Sequence, residues 1–239
     1  MRALKVVVIL AGVIGHVTVN AQTGGASADF SGTYSPPVFV GTIAVTGPDV
    51  FPFTPQGEQA FNAYNALTDA PNQTDDCAAD PMPWILWSNA PMQIVQQTDQ
   101  IVLRYERGDT VRTVPLDAPG ASADQPHTGS GYSTAHWSGE RLSIVTTHMT
   151  AEVIRNNRGH PLSRQARVTE RYWREPGEND LRMELLVEDP MNYTEPFILA
   201  RRWIWNPGEE LQDYGCVSLG PRGTEAPDID ELLRMLEEF

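Results

Sequence analysis

The chain has 239 residues, with 17 Lys and Arg against 31 Asp and Glu and a net charge of −14. Apolar residues make up 41%, enough for a packed core, so wholesale disorder is excluded. A polyanion is poorly suited to nucleic acid, whose phosphates are recognised through positive charge. Nineteen Pro and nineteen Gly point to a turn-rich fold rather than a helical bundle.

The N-terminus reads as a signal peptide over residues 1–21. Arg2 and Lys5 form a positive region, Val6 to Ile14 is an apolar run too short to span a bilayer, and Val19-Asn20-Ala21 supplies small residues for cleavage. No cysteine sits near the cleavage site, so no lipid anchor is expected, and no twin arginine precedes the apolar run. Residues 22–239 then form a single exported domain, periplasmic or secreted by a Sec-type route. No later run is long and apolar enough for a membrane span. The two remaining features of note in such a compartment are Cys77 and Cys216. An isolated pair there is most simply a disulfide, closing a loop worth about 4–5 kcal/mol in the chain-entropy model.

Residues 22–35 read as a small, polar lead-in, and Ser35 to Thr54 as extended chain. Thr54 caps a short helix with Pro55 at its first position, and Ala60, Phe61, Tyr64 and Leu67 form a helical stripe expected to pack on the body. After a loop holding Cys77, nine strands are expected. They are Met92 to Gln96, Ile101 to Glu106, Thr110 to Leu116, Ser133 to Trp137, Arg141 to His148, Val168 to Trp173, Leu181 to Glu188, Phe197 to Trp205 and Leu211 to Val217. Gly108-Asp109, Ser138-Gly139, Pro176-Gly177, Asp189-Pro190 and Pro207-Gly208 mark turns. Residues 220–239 are an acidic tail, with Asp228 to Phe239 an amphipathic helix. The even strand spacing indicates a mainly β, antiparallel meander, closed as a barrel or folded as a sandwich.

Strand parity selects inward residues. With Ser138-Gly139 as the hairpin loop, Trp137 faces Glu140, and Leu142, Ile144, Thr146 and His148 share Trp137's side. Leu142 and Ile144 mark that face as internal, so His148 is expected inside and His136 outside. Leu181, Met183, Leu185 and Val187 likewise point in. On Phe197 to Trp205, Phe197, Leu199, Arg201, Trp203 and Trp205 share a face, so that either Arg201 or Arg202 is buried or paired. Val168, Glu170 and Tyr172 share one face of their strand and Thr169, Arg171 and Trp173 the other, and parity is ambiguous as to which face is inner.

An apolar cavity with a few polar groups is the usual small-molecule site. Trp137, Thr146, His148, Arg201 and Trp203 are the candidate ligand contacts. His148 with Glu170 and Tyr172 is a candidate acid–base set for a cofactor-independent isomerase, cyclase or hydratase. The leading expectation is a binding protein that holds a small, largely apolar molecule, and six Trp and seven Tyr suit such a role. An envelope scaffold with no pocket is the remaining alternative. No cofactor is expected. No His-x-His or His-x-x-x-His pair occurs among His127, His136, His148 and His160, so no metal is expected; a site would need ligands gathered from separate loops. No G-x-S-x-G, P-loop or calcium-loop pattern is present. Arg155, Arg158, His160, Arg164 and Arg167 form a positive patch suited to the chain's own acidic C-terminal helix or to an anionic ligand.

Six stretches in order resemble an uncharacterised family of secreted bacterial lipocalin-like β-barrel proteins. They are Phe30-Ser31-Gly32-Thr33-Tyr34, the helix start Thr54 to Ala60, Cys77 with Pro81-Met82-Pro83, the hairpin Trp137 to Thr146, the turn Asp189 to Pro196, and Tyr214 to Cys216. The resemblance implies an antiparallel lipocalin-like barrel of about 8–10 strands with short terminal helices and a bridge between the cysteines. It transfers no catalytic residue, because the family carries no established activity. The chain departs from the family in Glu140-Arg141-Leu142, where an acidic residue usually precedes Thr-Leu, and in His136, where a small residue is usual.

Overall fold

A computed structural model describes residues 28–39, 42–43, 47–65, 77, 79–150, 153–154 and 159–217. The expected signal peptide, the C-terminal helix, Leu67, and Arg155 and Arg158 of the basic patch lie outside the described residues.

Eleven strands and one α-helix are described. The strands are β1 (Gly32–Ser35), β2 (Val38–Phe39), β3 (Thr42–Ile43), β4 (Met92–Gln96), β5 (Gln100–Tyr105), β6 (Thr110–Pro115), β7 (Tyr132–Ser138), β8 (Arg141–Thr147), β9 (Arg167–Trp173), β10 (Leu181–Glu188) and β11 (Phe197–Trp205). The helix α1 spans Pro55–Ala63, and a 3-10 turn covers Trp84–Trp87. β2 and β3 pair with each other, and the other nine strands form one sheet in the order β6-β5-β4-β1-β11-β10-β9-β8-β7. Every neighbouring pair in it is antiparallel. The sheet curls until its two edges meet at a parallel bridge between Leu116 and Ala135, where the Asp117 N–H donates to the Ala135 carbonyl at 2.8 Å. The fold is thus a nearly closed, mainly β barrel.

Alternation carries the core. Leu181, Met183, Leu185 and Val187 of β10 are fully buried, while Arg182, Glu184 and Glu188 between them are half-exposed. Leu142, Ile144 and Thr146 of β8 and Val168, Glu170 and Tyr172 of β9 point in alongside them. On β11 the inward arginine is Arg201; Arg202 points out, 3.4 Å from Asp180.

Four sequence expectations are corrected. Gly32–Ser35, read as part of a polar lead-in, is β1, a central strand between β4 and β11. Gly32 is required there because a Cβ would fall 2.1 Å from the Trp205 ring. Leu211 to Val217 is not a strand: β1 occupies the place it would have paired in. The segment is instead tied down by Glu106 and Asp109, whose carboxylates accept from the N–H groups of Gln212 and Tyr214 at 3.0 Å, and by the Cys77–Cys216 disulfide. The β7–β8 hairpin pairs Ser138 with Arg141 and Trp137 with Leu142, two residues away from the expected register. A two-residue slip preserves strand parity, so Trp137 keeps its face.

The fourth concerns α1. Thr54 caps it as expected, its Oγ1 accepting from the Gly57 N–H at 3.0 Å. The expected apolar stripe does not bury, however: Ala60 is exposed, Phe61 and Tyr64 half-buried, and only Gly57 is buried. The helix docks through its first turn. The Asn192 carbonyl accepts from the Thr54 N–H at 2.9 Å, the Thr54 hydroxyl donates to the Met191 carbonyl at 2.8 Å, and a Cβ on Gly57 would lie 2.1 Å from the Asn192 oxygen.

Gly57→Ala gains helix propensity of about 1 kcal/mol but must displace backbone. We expect a net loss of about 1–3 kcal/mol in chemical denaturation. Gly208→Ala, at a position with open space around it, leaves the midpoint unchanged.

Candidate functional site

The barrel lumen is filled by a polar cluster inside an apolar wall. Arg112 of β6 reaches across to Glu170 of β9, with Nη2 donating to Oε1 at 2.8 Å and Nη1 to Oε2 at 3.3 Å. The two side chains are 2% and 0% exposed. Nη1 also donates to the Tyr105 hydroxyl at 3.2 Å, and Nη2 to Ser133 Oγ and Thr146 Oγ1 at 3.3 Å each. The Tyr172 hydroxyl donates to Glu170 Oε2 at 2.6 Å, and the Ser133 and Thr146 hydroxyls lie 2.8 Å apart. Five strands therefore meet at one guanidinium and one carboxylate.

Burial here sets the electrostatics. Desolvation raises the Tyr105 hydroxyl to about 12. Desolvation and then the Glu170 charge push Tyr172 well above the ordinary tyrosine value. For Arg112, burial acts to lower the value, but the Glu170 carboxylate more than offsets it and holds the guanidinium charged.

Thr146 points in as strand parity implied, and the structure brings it together with Glu170 and Tyr172, whose strand had left its inner face open. Arg201 and Trp203 also lie in the interior. The Arg201 guanidinium stacks 4.0 Å from the Trp203 ring centre and donates through Nη1 to the Leu86 carbonyl at 2.5 Å and the Ser88 carbonyl at 3.2 Å. Arg201 so anchors the buried 3-10 turn Trp84–Trp87, which stoppers the barrel mouth where β4 begins. Trp137 is half-buried near the other mouth, 5.1 Å from the Phe30 ring. There Arg174 lies over Phe30 at 5.3 Å and Trp205 at 5.4 Å and donates to the Tyr34 hydroxyl at 2.6 Å.

His148 is placed elsewhere. β8 ends at Thr147, and His148 adopts φ +56, a left-handed conformation that ends the strand's alternation. Its ring is half-exposed, 2.9 Å through Nδ1 from Thr147 Oγ1 and 5.0 Å from the His127 ring. It does not join Glu170 and Tyr172. His136 is exposed as expected, with Nδ1 2.5 Å from Asp117. The residue that sequence reading missed is Arg112. Its strand alternates as Thr110-Val111-Arg112-Thr113-Val114, and burial of Val114 on the same face as Arg112 was the available signal.

Open space lies outside the lumen. A cavity of about 700 Å³ opens between Gln56, Ala60, Ala63 and Tyr64 of α1 and the facing residues Trp84, Pro161, Leu162 and Asn192. Asp189 braces its wall: the buried carboxylate accepts from the Ser163 N–H at 2.7 Å, the Ser163 hydroxyl at 2.6 Å and Asn192 Nδ2 at 2.7 Å. Phe51, Phe53 and Phe61 with His160 form an aromatic layer joining α1 to the barrel. A second, more polar cavity of about 510 Å³ sits at the opposite mouth between Asp29, Gln97, Thr98, Leu116, Asp117 and Trp137. Among the described residues, no group of three or more His, Cys, Asp or Glu could hold a metal ion.

Two predictions follow from the buried cluster. Arg112→Met or Glu170→Gln alone strands a buried charge or its donors and costs about 3–5 kcal/mol. Arg112→Met with Glu170→Leu removes both charges, and in a double-mutant cycle it is less destabilised than the sum of Arg112→Met and Glu170→Leu taken singly. The second concerns alkali. Tyr105, Tyr172 and Tyr193 all have raised folded-state values, through burial first and, for Tyr193, Asp189 next. A raised value means stability intact below the unfolded tyrosine value, about 10, and lost as pH climbs toward the folded one. For Tyr105 the two-unit rise corresponds to about 3 kcal/mol. We expect tyrosinate absorbance near 295 nm to rise in two phases, the second coinciding with unfolding, and Tyr105→Phe to lessen the stability lost between pH 10 and 12.

No family model matches the chain, and no curated protein matches it.

Proposed function

We propose that the protein is an exported carrier of a small, largely apolar molecule, held in the cleft beside α1 rather than in the barrel lumen. The observation that carries this reading is the fate of the helix stripe. Ala60 and Ala63 are exposed and, with Tyr64 and Trp84, line a cavity within the usual size range of a ligand site, about 300–1,000 Å³. The lumen, by contrast, is taken up by the side chains of Arg112, Glu170, Tyr105, Tyr172 and Trp203. Gln56, Thr150, Ser163 and Asn192 supply a few polar groups at the cleft to orient a ligand.

Export is part of the same reading. The Cys77–Cys216 bridge suits an oxidising compartment, and no described helix is long and apolar enough to cross a membrane. The motifs shared with secreted bacterial barrels agree with it. A scaffold role has one observation in its favour, the filled lumen. The acid–base alternative built on His148 has none, since that residue is half-exposed and, among the described residues, no hydrogen bond joins it to Glu170 or Tyr172.

Native mass spectrometry of mature protein taken from its host's periplasm tests this reading. A co-purifying small apolar molecule is expected. Ala60→Trp fills the cleft from an exposed position, and should weaken that complex by roughly tenfold or more without lowering Tm. A bare chain that also fails to bind apolar fluorescent probes would leave the scaffold role.

A further inference from the structure

Two of the histidines outside the lumen, His127 and His148, lie side by side. His127 sits at the end of the loop between β6 and β7, and His148 just after β8. Backbone bonds hold them side by side: the Thr128 N–H donates to the His148 carbonyl and the Thr150 N–H to the Thr128 carbonyl, each at 3.0 Å. The His127 Nδ1–H donates to the Met149 carbonyl at 3.1 Å. A carbonyl only accepts, so this bond fixes the tautomer and leaves the His127 Nε2 lone pair free. His148 Nδ1 is held 2.9 Å from Thr147 Oγ1. Among the described residues neither Nε2 has a hydrogen-bond partner. An imidazole oriented by an oxygen at one nitrogen and open at the other is the usual state of a metal-binding histidine.

The spacing agrees. Two imidazoles bound through Nε2 to one cation at about 2.0–2.1 Å, at angles between square-planar and tetrahedral, have ring centres roughly 4.5–5.2 Å apart. The observed centres are 5.0 Å apart with planes at 41°. The left-handed backbone of His148, φ +56, is what turns its ring out of the strand face toward His127. Both rings are half-exposed, so an ion has access and can complete its shell with water.

We propose that His127 and His148 form a two-nitrogen site for a borderline first-row divalent cation, with copper(II) held most tightly. Nitrogen ligands favour copper(II) over zinc in the ordinary affinity order, and two open positions suit its tetragonal geometry. The site adjoins the cleft beside α1 at Thr150 but shares no histidine with its lining, and it stands whether or not that cleft binds a ligand.

The test is titration of untagged mature protein with copper(II) in a weakly chelating buffer, followed by calorimetry and electron paramagnetic resonance. One copper per chain with two-nitrogen coordination is expected. His127→Gln and His148→Gln should each weaken binding roughly tenfold or more, with Tm unchanged, while His136→Gln binds as the parent does. If His148→Gln impairs folding, zinc-induced shifts of the Nε2 resonances in the parent protein decide the matter. Shifts at His127 and His148 uphold the site; shifts confined to His136 or His160 overturn it. Absence of saturable binding, or binding indifferent to both variants, also overturns it.

Discussion

The Arg112–Glu170 pair is the constraint on which the barrel depends. The sheet's edges, β6 and β7, meet at only the Leu116–Ala135 bridge among the described pairings, so backbone bonds contribute little to closure there. Arg112 supplies what the backbone does not. From β6 it bonds Ser133 on β7, Thr146 on β8 and Glu170 on β9, crossing the seam with a single side chain. Desolvating two charges is costly, and the arrangement is tolerable because Tyr105, Tyr172, Ser133 and Thr146 all bond to them. Such a pair contributes little net stability. What it does contribute is uniqueness, because a slip of β6 against β9 would leave a buried charge without its partner.

A lumen occupied in this way has consequences at both mouths. With the centre polar and full, apolar residues collect toward the ends. The Trp84–Trp87 turn enters one mouth and is held by Arg201, and Phe30 and Trp137 with Arg174 close the other. Ligand space is displaced outward, to the region where α1 stands off the loops. The helix is held at its first turn, where Thr54 and Gly57 meet the Asn192 carbonyl closely, and by Phe61 against Phe53 and His160, while Ala60, Ala63 and the following Tyr64 line the cavity. Asp189, buried at the end of β10, fixes the opposite wall through Ser163 and Asn192, so that both sides of the cleft are set by the same turn.

Period-two alternation made much of this legible in advance. Leu142, Ile144 and Thr146 and the β10 leucines were placed on the inner face by parity alone, and parity survived even the two-residue slip of the β7–β8 hairpin; on β9 parity left both faces open, and only the structure puts Glu170 and Tyr172 inside. The method failed where alternation stops or where contacts are long-range. His148 follows the last paired residue of β8, and its positive φ breaks the pattern by which it was assigned. Gly32–Ser35 is too short and too polar to announce a central strand; it becomes one because β4 and β11 present edges on either side. Arg112 lies on the same face as Val114, yet an arginine in a strand usually reads as solvent-facing. Only the carboxylate arriving from β9, far along the chain, makes its burial affordable.

The sequence by itself determined the number of barrel strands to within the exchange of one strand, the inward faces of β8 and β10, the helix start at Thr54 and the cysteine pairing. These follow from local periodicity, from turn and cap chemistry, and from there being only two cysteines. The tertiary structure alone decided how the barrel closes, that its lumen is filled, that the cavity lies beside α1, and that His127 meets His148. Each of those depends on residues distant in sequence arriving at one place, and neither spacing nor composition encodes the distance between them.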